Sequence, residues 1–285
     1  MKESDKKAFF ERTLELARKG WGNTHPNPMV GALIVEEGKI VAEGYHFQAG
    51  SPHAEVEAIG ALSRTPKEEA SMFVSLEPCS TTGRTPPCVD GILNAGIKRV
   101  YIGAMDPNPS HAGRGIEILR ESGVYVEMAD EEFQTQATRL NFIFNHNITT
   151  GNPLIVLKLA ESANGMLAEV KGQPSRITKD EARSDMMNWR RLFPAICVGS
   201  GTVLSDNPTL TARLADETFC PVRLVIDADL STFDPEVSDR LLYTDEFAQK
   251  TQVLTTSGGL AEKNRFSRAQ ELGISLIQTE ACPRG

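Results

Sequence analysis

The sequence predicts an α/β protein built as two consecutive domains, and three observations carry that expectation. Short apolar runs rich in β-branched residues alternate with longer stretches whose apolar residues recur at helical spacing. A polar stretch, Thr149-Thr150-Gly151-Asn152-Pro153, divides this alternation into two series. The composition, 40% apolar and 24% charged over 285 residues, is that of a folded chain long enough for two modest domains. The expected domains are residues 1–149 and 153–285.

The elements follow in order. The chain opens with a helix capped by Ser4 or Asp5, with an apolar stripe of Phe9, Phe10, Thr13, Leu14 and Ala17, ending at Gly20. Residues 30–35 and 40–45 read as a hairpin about a Glu36–Lys39 turn. Ser51 as N-cap and Pro52 at the first helical position start a helix that runs to Leu62. A strand at 71–76, a loop rich in Thr, Gly and Pro at 77–87, and a helix at 88–95 come next. They are followed by a strand at 99–103, a helix at 115–122, a strand at 124–127 and one long helix over 131–145. The second series has strands at 154–159, 195–199, 222–227, 252–255 and 274–278, with helices at 179–192 and 260–272.

Composition also excludes classes. The net charge of -8 disfavours binding to nucleic-acid backbones. Five cysteines, an odd number, do not suggest a disulfide framework and fit a reducing compartment. No apolar run approaches the roughly 18 residues of a membrane span, and the charged N-terminal segment has no signal-peptide core, so a cytoplasmic protein is expected.

The strongest chemical signal is His53-Ala54-Glu55 followed by Pro78-Cys79 and Cys88. One imidazole and two thiolates suit zinc, and three protein ligands leave a fourth position for water, as in a catalytic site. Glu55 then stands beside the metal without ligating it. There it can take a proton from the metal's water and pass it to a leaving group. The order H-x-E, then P-C, then a second Cys is that of zinc nucleobase deaminases, although eight residues separate the two cysteines here instead of two.

Further stretches carry a resemblance. They are His25-Pro26-Asn27-Pro28-Met29-Val30-Gly31, Glu43-Gly44-Tyr45-His46, Leu76-Glu77-Pro78-Cys79-Ser80, Gly83-Arg84-Thr85-Pro86-Pro87-Cys88 and Asp106-Pro107-Asn108-Pro109 with Gly113-Arg114-Gly115. With the metal motif they resemble the bifunctional deaminase/reductase family of riboflavin biosynthesis. The resemblance implies a three-layer cytidine-deaminase-like domain followed by a dihydrofolate-reductase-like α/β domain. It implies one zinc ion on His53, Cys79 and Cys88, with Glu55 as the proton shuttle. The substrate it implies is a phosphoribosylated diaminopyrimidine, with Asn27 contacting the pyrimidine edge. His46 is a candidate for the pocket wall, and Arg84 or the His111–Arg114 turn for the substrate phosphate.

The second half resembles the reductase domain of the same enzymes through Leu157-Lys158-Leu159-Ala160, Val198-Gly199-Ser200-Gly201-Thr202 and Asp206-Asn207-Pro208-Thr209-Leu210-Thr211-Ala212-Arg213. The resemblance implies NADPH contacts from Ala160, Thr202 and Asp206, and substrate contacts from Arg190, Leu210 and Arg213. It also implies a homo-oligomer. The sequence departs from the family pattern at Asn164, Pro174 and Arg176. It stops at Gly285, before a further strand and a Glu-Gly-Gly loop that the family carries. Two readings of the second half therefore stand, a shortened reductase or a remnant. A deaminase of another nucleoside or nucleotide with a non-catalytic second domain is the alternative reading of the whole. Cys197, Cys220 and Cys282 have no evident role.

Overall fold

The structure is a computed structural model describing residues 2–82, 86–109, 111–170 and 177–280. The chain divides into two compact units, residues 1–156 and 157–285. No helix among the described residues is long and apolar enough to cross a membrane.

The first unit holds α1 (Glu3–Arg18), the hairpin β1 (Gly31–Glu36) and β2 (Lys39–Tyr45), α2 (Ala54–Leu62) and β3 (Ser71–Val74). It continues with α3 (Cys88–Asn94), β4 (Arg99–Ile102), α4 (Arg114–Glu121), β5 (Tyr125–Met128), α5 (Glu131–Leu140) and α6 (Phe142–Thr150). The strands form one sheet in the order β2-β1-β3-β4-β5. The hairpin strand β1 is antiparallel to both neighbours, and β3, β4 and β5 run parallel.

Both faces of the central strands are covered, which is why β1 and β3 read as continuous apolar runs rather than alternating ones. Ala32, Ile34, Met72, Val74, Val100 and Ile102 meet Ala54, Ala58, Val89, Ile92, Ile116 and Leu119 of α2, α3 and α4 on one face. On the other, Phe73 stacks on Tyr101 at 4.4 Å and meets the rings of Phe9 and Phe10 from α1, both at 5.1 Å. The result is three layers. A Cβ at Gly44 on β2 would collide with the Ala54 carbonyl and the Ala58 amide, so glycine there is what lets α2 lie against the sheet.

The second unit holds α7 (Asp180–Leu192), β6 (Ala195–Gly199), α8 (Ser200–Asp206), the small pair β7 (Ala212–Arg213) and β8 (Thr218–Phe219), and β9 (Val222–Ile226). After these come α9 (Leu241–Thr244), β10 (Thr251–Thr255), α10 (Ser257–Ala261), α11 (Lys263–Glu271) and β11 (Ser275–Gln278). Its main sheet is parallel, in the order β11-β10-β9-β6. Val203, Val225, Leu230, Phe233, Val253, Ala269 and Ile274 pack one core beneath it.

Several expectations are corrected. Neither Ser4 nor Asp5 caps α1, which begins at Glu3 after Lys2. Ser51 does not cap α2; its hydroxyl closes a turn on the Gln48 carbonyl at 2.7 Å, and His53 takes the N-cap position instead. The predicted helix over 131–145 is two helices, broken where the Asn141 side chain turns away to bond Met29. The predicted helix over 260–272 is likewise split into α10 and α11 at Glu262. The predicted strand at 154–159 does not form. The run has strand composition, but among the described residues it joins no ladder, and Ile155 and Leu157 stand 88% and 80% exposed. Arg84, Pro174, Arg176 and Cys282 lie outside the described residues.

One ion pair closes the far end of β1. Glu36, buried at the strand end, takes Nη1 and Nη2 of Arg64 at 3.0 and 2.7 Å and the Lys67 amide at 2.9 Å. The Arg64 bonds, and then the Lys67 amide, pull its carboxyl from an ordinary 4.5 down to about 2. A carboxyl depressed on folding stabilises fully above its unfolded value, and the stabilisation fades as pH falls toward the folded value. Thermal unfolding of the native chain should therefore lose stability more steeply between pH 5 and pH 3 than Glu36→Gln does. Equal slopes for the two proteins would count against this account.

Candidate active sites

Two helix starts bring the metal-type residues together. His53 is the N-cap of α2 and Cys88 is the first residue of α3, while Cys79 stands in the loop after β3. His53 Nδ1 lies 3.2 Å from Cys88 Sγ and 3.5 Å from Cys79 Sγ, and all three ligand atoms lie within 4.8 Å of one another. Tetrahedral zinc with bonds of roughly 2.1 Å to nitrogen and 2.3 Å to sulfur needs donors about 3.6 Å apart, so the set fits. The Cys88 backbone N–H donates to Cys79 Sγ at 3.3 Å, so the first amide of α3 faces a developing thiolate.

The electrostatics belong to the cluster rather than to single residues. Bonds from Cys88, and then from His53, pull the Cys79 thiol far below its ordinary range, while the shared bond and burial push Cys88 up. Groups competing in this way for protons are what a divalent cation relieves, because it takes both sulfurs as thiolates. Glu55, one residue inside α2, is 3% exposed. Burial pushes its carboxyl up to about 7, and the Cys79 sulfur adds to the effect.

Asn27 and His46 line the same region. The His46 ring lies edge-on to His53 with centroids 5.4 Å apart. Its Nδ1 is 3.0 Å from the Pro52 carbonyl, which can only accept, so Nδ1 carries the proton. Burial lowers the His46 pKa and keeps the ring neutral. The bare Nε2 therefore accepts from the Asn27 amide nitrogen at 3.1 Å, and that bond fixes which way Asn27 presents its carbonyl oxygen.

Glu77 is a residue that reading the motifs did not single out, although it sits inside the quoted Glu77-Pro78-Cys79. Its buried carboxylate accepts from the backbone amides of Asp106 at 3.1 Å, Gly113 at 3.0 Å, Gly115 at 2.9 Å and Ile116 at 3.4 Å. The Gly113 and Gly115 amides, at the end of the His111–Arg114 turn that was a candidate for the substrate phosphate, are thus taken by this internal carboxylate. Arg114 is exposed, and His111 bonds the Asn108 amide at 3.2 Å. A Cβ at Gly115 would strike the Pro78 carbonyl, so the loop and the segment carrying Cys79 are in direct contact.

In the second unit, Arg190 donates to the Thr211 carbonyl at 2.7 Å, and Arg213 reaches the Thr209 hydroxyl at 3.4 Å. Burial, and then the like charge of Arg213, lower the Arg190 pKa. Its Nε is buried without a hydrogen-bond partner among the described residues. Arg191 is paired with Glu217 at 2.7 Å and stacked 4.2 Å over Phe219, so this end of α7 is not a solvated face. The Leu210 side chain is buried in the core with φ at +56°, so only its main chain can meet a ligand. Arg223, fully buried, donates to Thr251, to the Thr209 and Leu242 carbonyls, and through two nitrogens to Asp245 at 2.7 and 2.9 Å. It pins the segment that carries the site and was not expected from sequence.

Thr202 and Asp206 are both exposed on α8, which starts directly after the C-terminal end of β6, where open α/β sheets receive ligands. Side chains added at Gly199 and Gly201 would meet nothing within 4 Å, so the space over this backbone is open. Ala160 lies half-buried in the irregular stretch after α6.

Comparison with known proteins follows the same division. Residues 3–104 match the model of the cytidine and deoxycytidylate deaminase zinc-binding region, and residues 153–279 match that of the RibD C-terminal domain. The riboflavin biosynthesis protein RibD of Aquifex aeolicus (strain VF5) is 39% identical over 297 residues, covering all of this chain and 82% of the relative. The chain belongs to the RibD family. The RibD protein of Bacillus amyloliquefaciens is 42% identical over 272 residues, 95% of this chain and 71% of its own length. Acinetobacter baumannii RibD, form 1, superposes with a TM-score of 0.79 at 32% identity, covering 98% of this chain and 75% of that one. A Thermotoga maritima structure described as a diaminohydroxyphosphoribosylaminopyrimidine deaminase/5-amino-6-(5-phosphoribosylamino)uracil reductase gives 0.77 at 32% identity, covering 97% and 81%. As a RibD-family chain it is a deaminase/reductase enzyme of riboflavin biosynthesis, and both family domains are present. The reading with a non-catalytic second domain is not favoured.

Removing a buried acceptor strands its donors. Glu77→Gln keeps the shape but replaces one accepting oxygen with a donor, leaving two of the four amides unmatched. Urea unfolding should show a loss of about 1–3 kcal/mol. A native-like midpoint for this variant would refute the internal-anion role.

Proposed function

We propose that residues 1–149 hydrolyse the 2-amino group of 2,5-diamino-6-(5-phosphoribosylamino)pyrimidin-4-one to a carbonyl. Residues 153–285 then reduce the ribosyl group of the product to ribityl with NADPH. The observation that carries the first step is the convergence of His53, Cys79 and Cys88 beside the buried carboxyl of Glu55. The comparisons with RibD proteins support the substrate class.

In this reading His53, Cys79 and Cys88 hold zinc. When bound, the ion supplies Lewis acidity that brings the pKa of a water down to about 7. Glu55 takes a proton from the attacking water and delivers it to the departing nitrogen. The water oxygen bonds to the ring carbon, the C–N bond breaks and ammonia leaves, and the second water proton passes to a ring nitrogen as the carbon becomes a carbonyl. A carboxyl held near neutrality suits both halves of that transfer. Asn27, oriented by His46, reads the pyrimidine edge.

In the second unit Arg190 and Arg213 bind the substrate phosphate, with the Leu210 main chain alongside. Two guanidiniums with no carboxylate between them are relieved by a dianion. Ala160, Thr202 and Asp206 hold the dinucleotide, which supplies a hydride. We read the protein as a cytoplasmic homo-oligomer that acts on a small phosphorylated pyrimidine and not on nucleic acid; its net charge of -8 supports the last point.

Glu55→Ala should retain one zinc ion per chain by metal analysis while ammonia release falls by about 10²–10⁴-fold. Retained turnover in that variant would remove the proton-shuttle role. Arg190→Ala should raise the reductase KM for the phosphorylated substrate by at least about tenfold and leave ammonia release untouched. An unchanged reductase KM would exclude the phosphate role.

A further inference from the structure

Asn27 stands between two prolines, and proline has no amide hydrogen. Neither neighbour of Asn27 therefore offers a main-chain donor, and on the N-terminal side the Ala49 amide holds the Asn23 carbonyl at 3.3 Å. The Asn27 amide closes a local turn on the Thr24 carbonyl at 2.7 Å, which stays within the loop. The first residue after Asn27 that offers both a donor and an acceptor is Met29. Both of its groups go to a single side chain 112 residues away. The Met29 amide donates to Asn141 Oδ1 at 2.7 Å, and Asn141 Nδ2 donates to the Met29 carbonyl at 2.9 Å.

Asn141 has a cost in its own segment. It separates α5 from α6 with φ -102° and ψ 27°, and it leaves a side-chain amide in a site that is 5% exposed. A helix former would allow the two helices to run on as one. The break is spent on one contact, which reproduces on Met29 the paired bonding of a sheet ladder. The next anchors fall just beyond: the His46 amide donates to the Val30 carbonyl at 2.9 Å, and the Gly31 amide to Ser75 Oγ at 3.1 Å. Met29 is thus the hinge between the fixed strand β1 and the loop that holds Asn27 against His46.

We propose that Asn141 is a positioning residue for the deaminase step, setting the place of Asn27 through the Met29 main chain. The proposal rests on reading Asn27 as a substrate contact. A side chain that acts only through another should add nothing once that other is removed, so a double-mutant cycle tests it.

The 285-residue chain loaded with zinc is used, with the phosphoribosylated diaminopyrimidine as substrate. Asn141→Ala should raise the deaminase KM about tenfold, with kcat within about twofold and zinc per chain unchanged. Asn27→Ala should raise KM at least as much, and Asn27→Ala/Asn141→Ala should be no worse than Asn27→Ala alone. Asn141→Asp keeps the acceptor for the Met29 amide but loses the donor and sets a carboxylate oxygen against the Met29 carbonyl. It should also raise KM, and it serves if Asn141→Ala does not fold. Additive KM effects, zinc loss in Asn141→Asp, or a native KM in Asn141→Asp would overturn the proposal while leaving the Asn27 reading intact. A native KM in Asn27→Ala would overturn both.

Discussion

An imidazole, two thiols and a carboxyl group compete for protons within a few ångströms of one another at the starts of α2 and α3, and the first unit is arranged around that competition. In water each would titrate alone. Here Cys88 is 1% exposed and Glu55 3%, so every charge formed is costly unless a neighbour compensates it. The sulfurs compensate each other only in part, one falling and the other rising. Three of the four groups form a set that could hold a single zinc ion. The fourth, Glu55, is in the proposed mechanism the group whose proton moves.

Such a cluster works only if its parts are held to within a fraction of an ångström. Regular elements alone do not achieve this, because Cys79 and the segment carrying Asn27 lie outside them. The fold instead locks those loops with side chains that imitate backbone partners. Glu77 takes four amides of the 106–116 loop one residue before Pro78-Cys79, and Asn141 pairs with both main-chain groups of Met29. Each uses a buried polar group at a place where an unpartnered one would be expensive. The site region is therefore wired to the chain over 29 to 112 residues of sequence.

That wiring explains what could be read from the sequence. His53, Cys79, Cys88 and Glu55 were legible because their chemistry demands those residue types in that order, and the alternation of strands and helices gave the layering. Glu77 was legible only in part: it stood inside a quoted motif, but an acidic residue before Pro-Cys says nothing about four amides that arrive from another loop. Asn141 was not legible at all, because an Asn inside an amphipathic pattern looks like a tolerated helix residue until its partner is known. The run at 154–159 failed for a related reason. Its composition satisfies a strand, but a strand is a property of two segments and the sequence shows one. His53 was misplaced by one structural step, since Ser51-Pro52 is a better helix start on local chemistry than the His that takes the N-cap.

The second unit poses the electrostatic problem with the opposite sign. Three arginines lie near the 209–213 segment, and their surroundings sort them. Arg223 has a carboxylate on two of its nitrogens and carbonyl or hydroxyl acceptors on the rest, so it is complete without a ligand. Arg190 has one carbonyl, a buried Nε with no partner among the described residues, and another cation nearby. Arg213 has, among the described residues, a long bond to a hydroxyl. A buried guanidinium nitrogen lacking an acceptor is expensive, and the proposed anion would supply one to Arg190 Nε with exposed Arg213 alongside. The chain as a whole is acidic, at -8, so its long-range field does not draw a phosphate in. In the proposed reading, recognition of the anion comes from short-range, directed bonds, which salt screens far less than it screens steering across the surface.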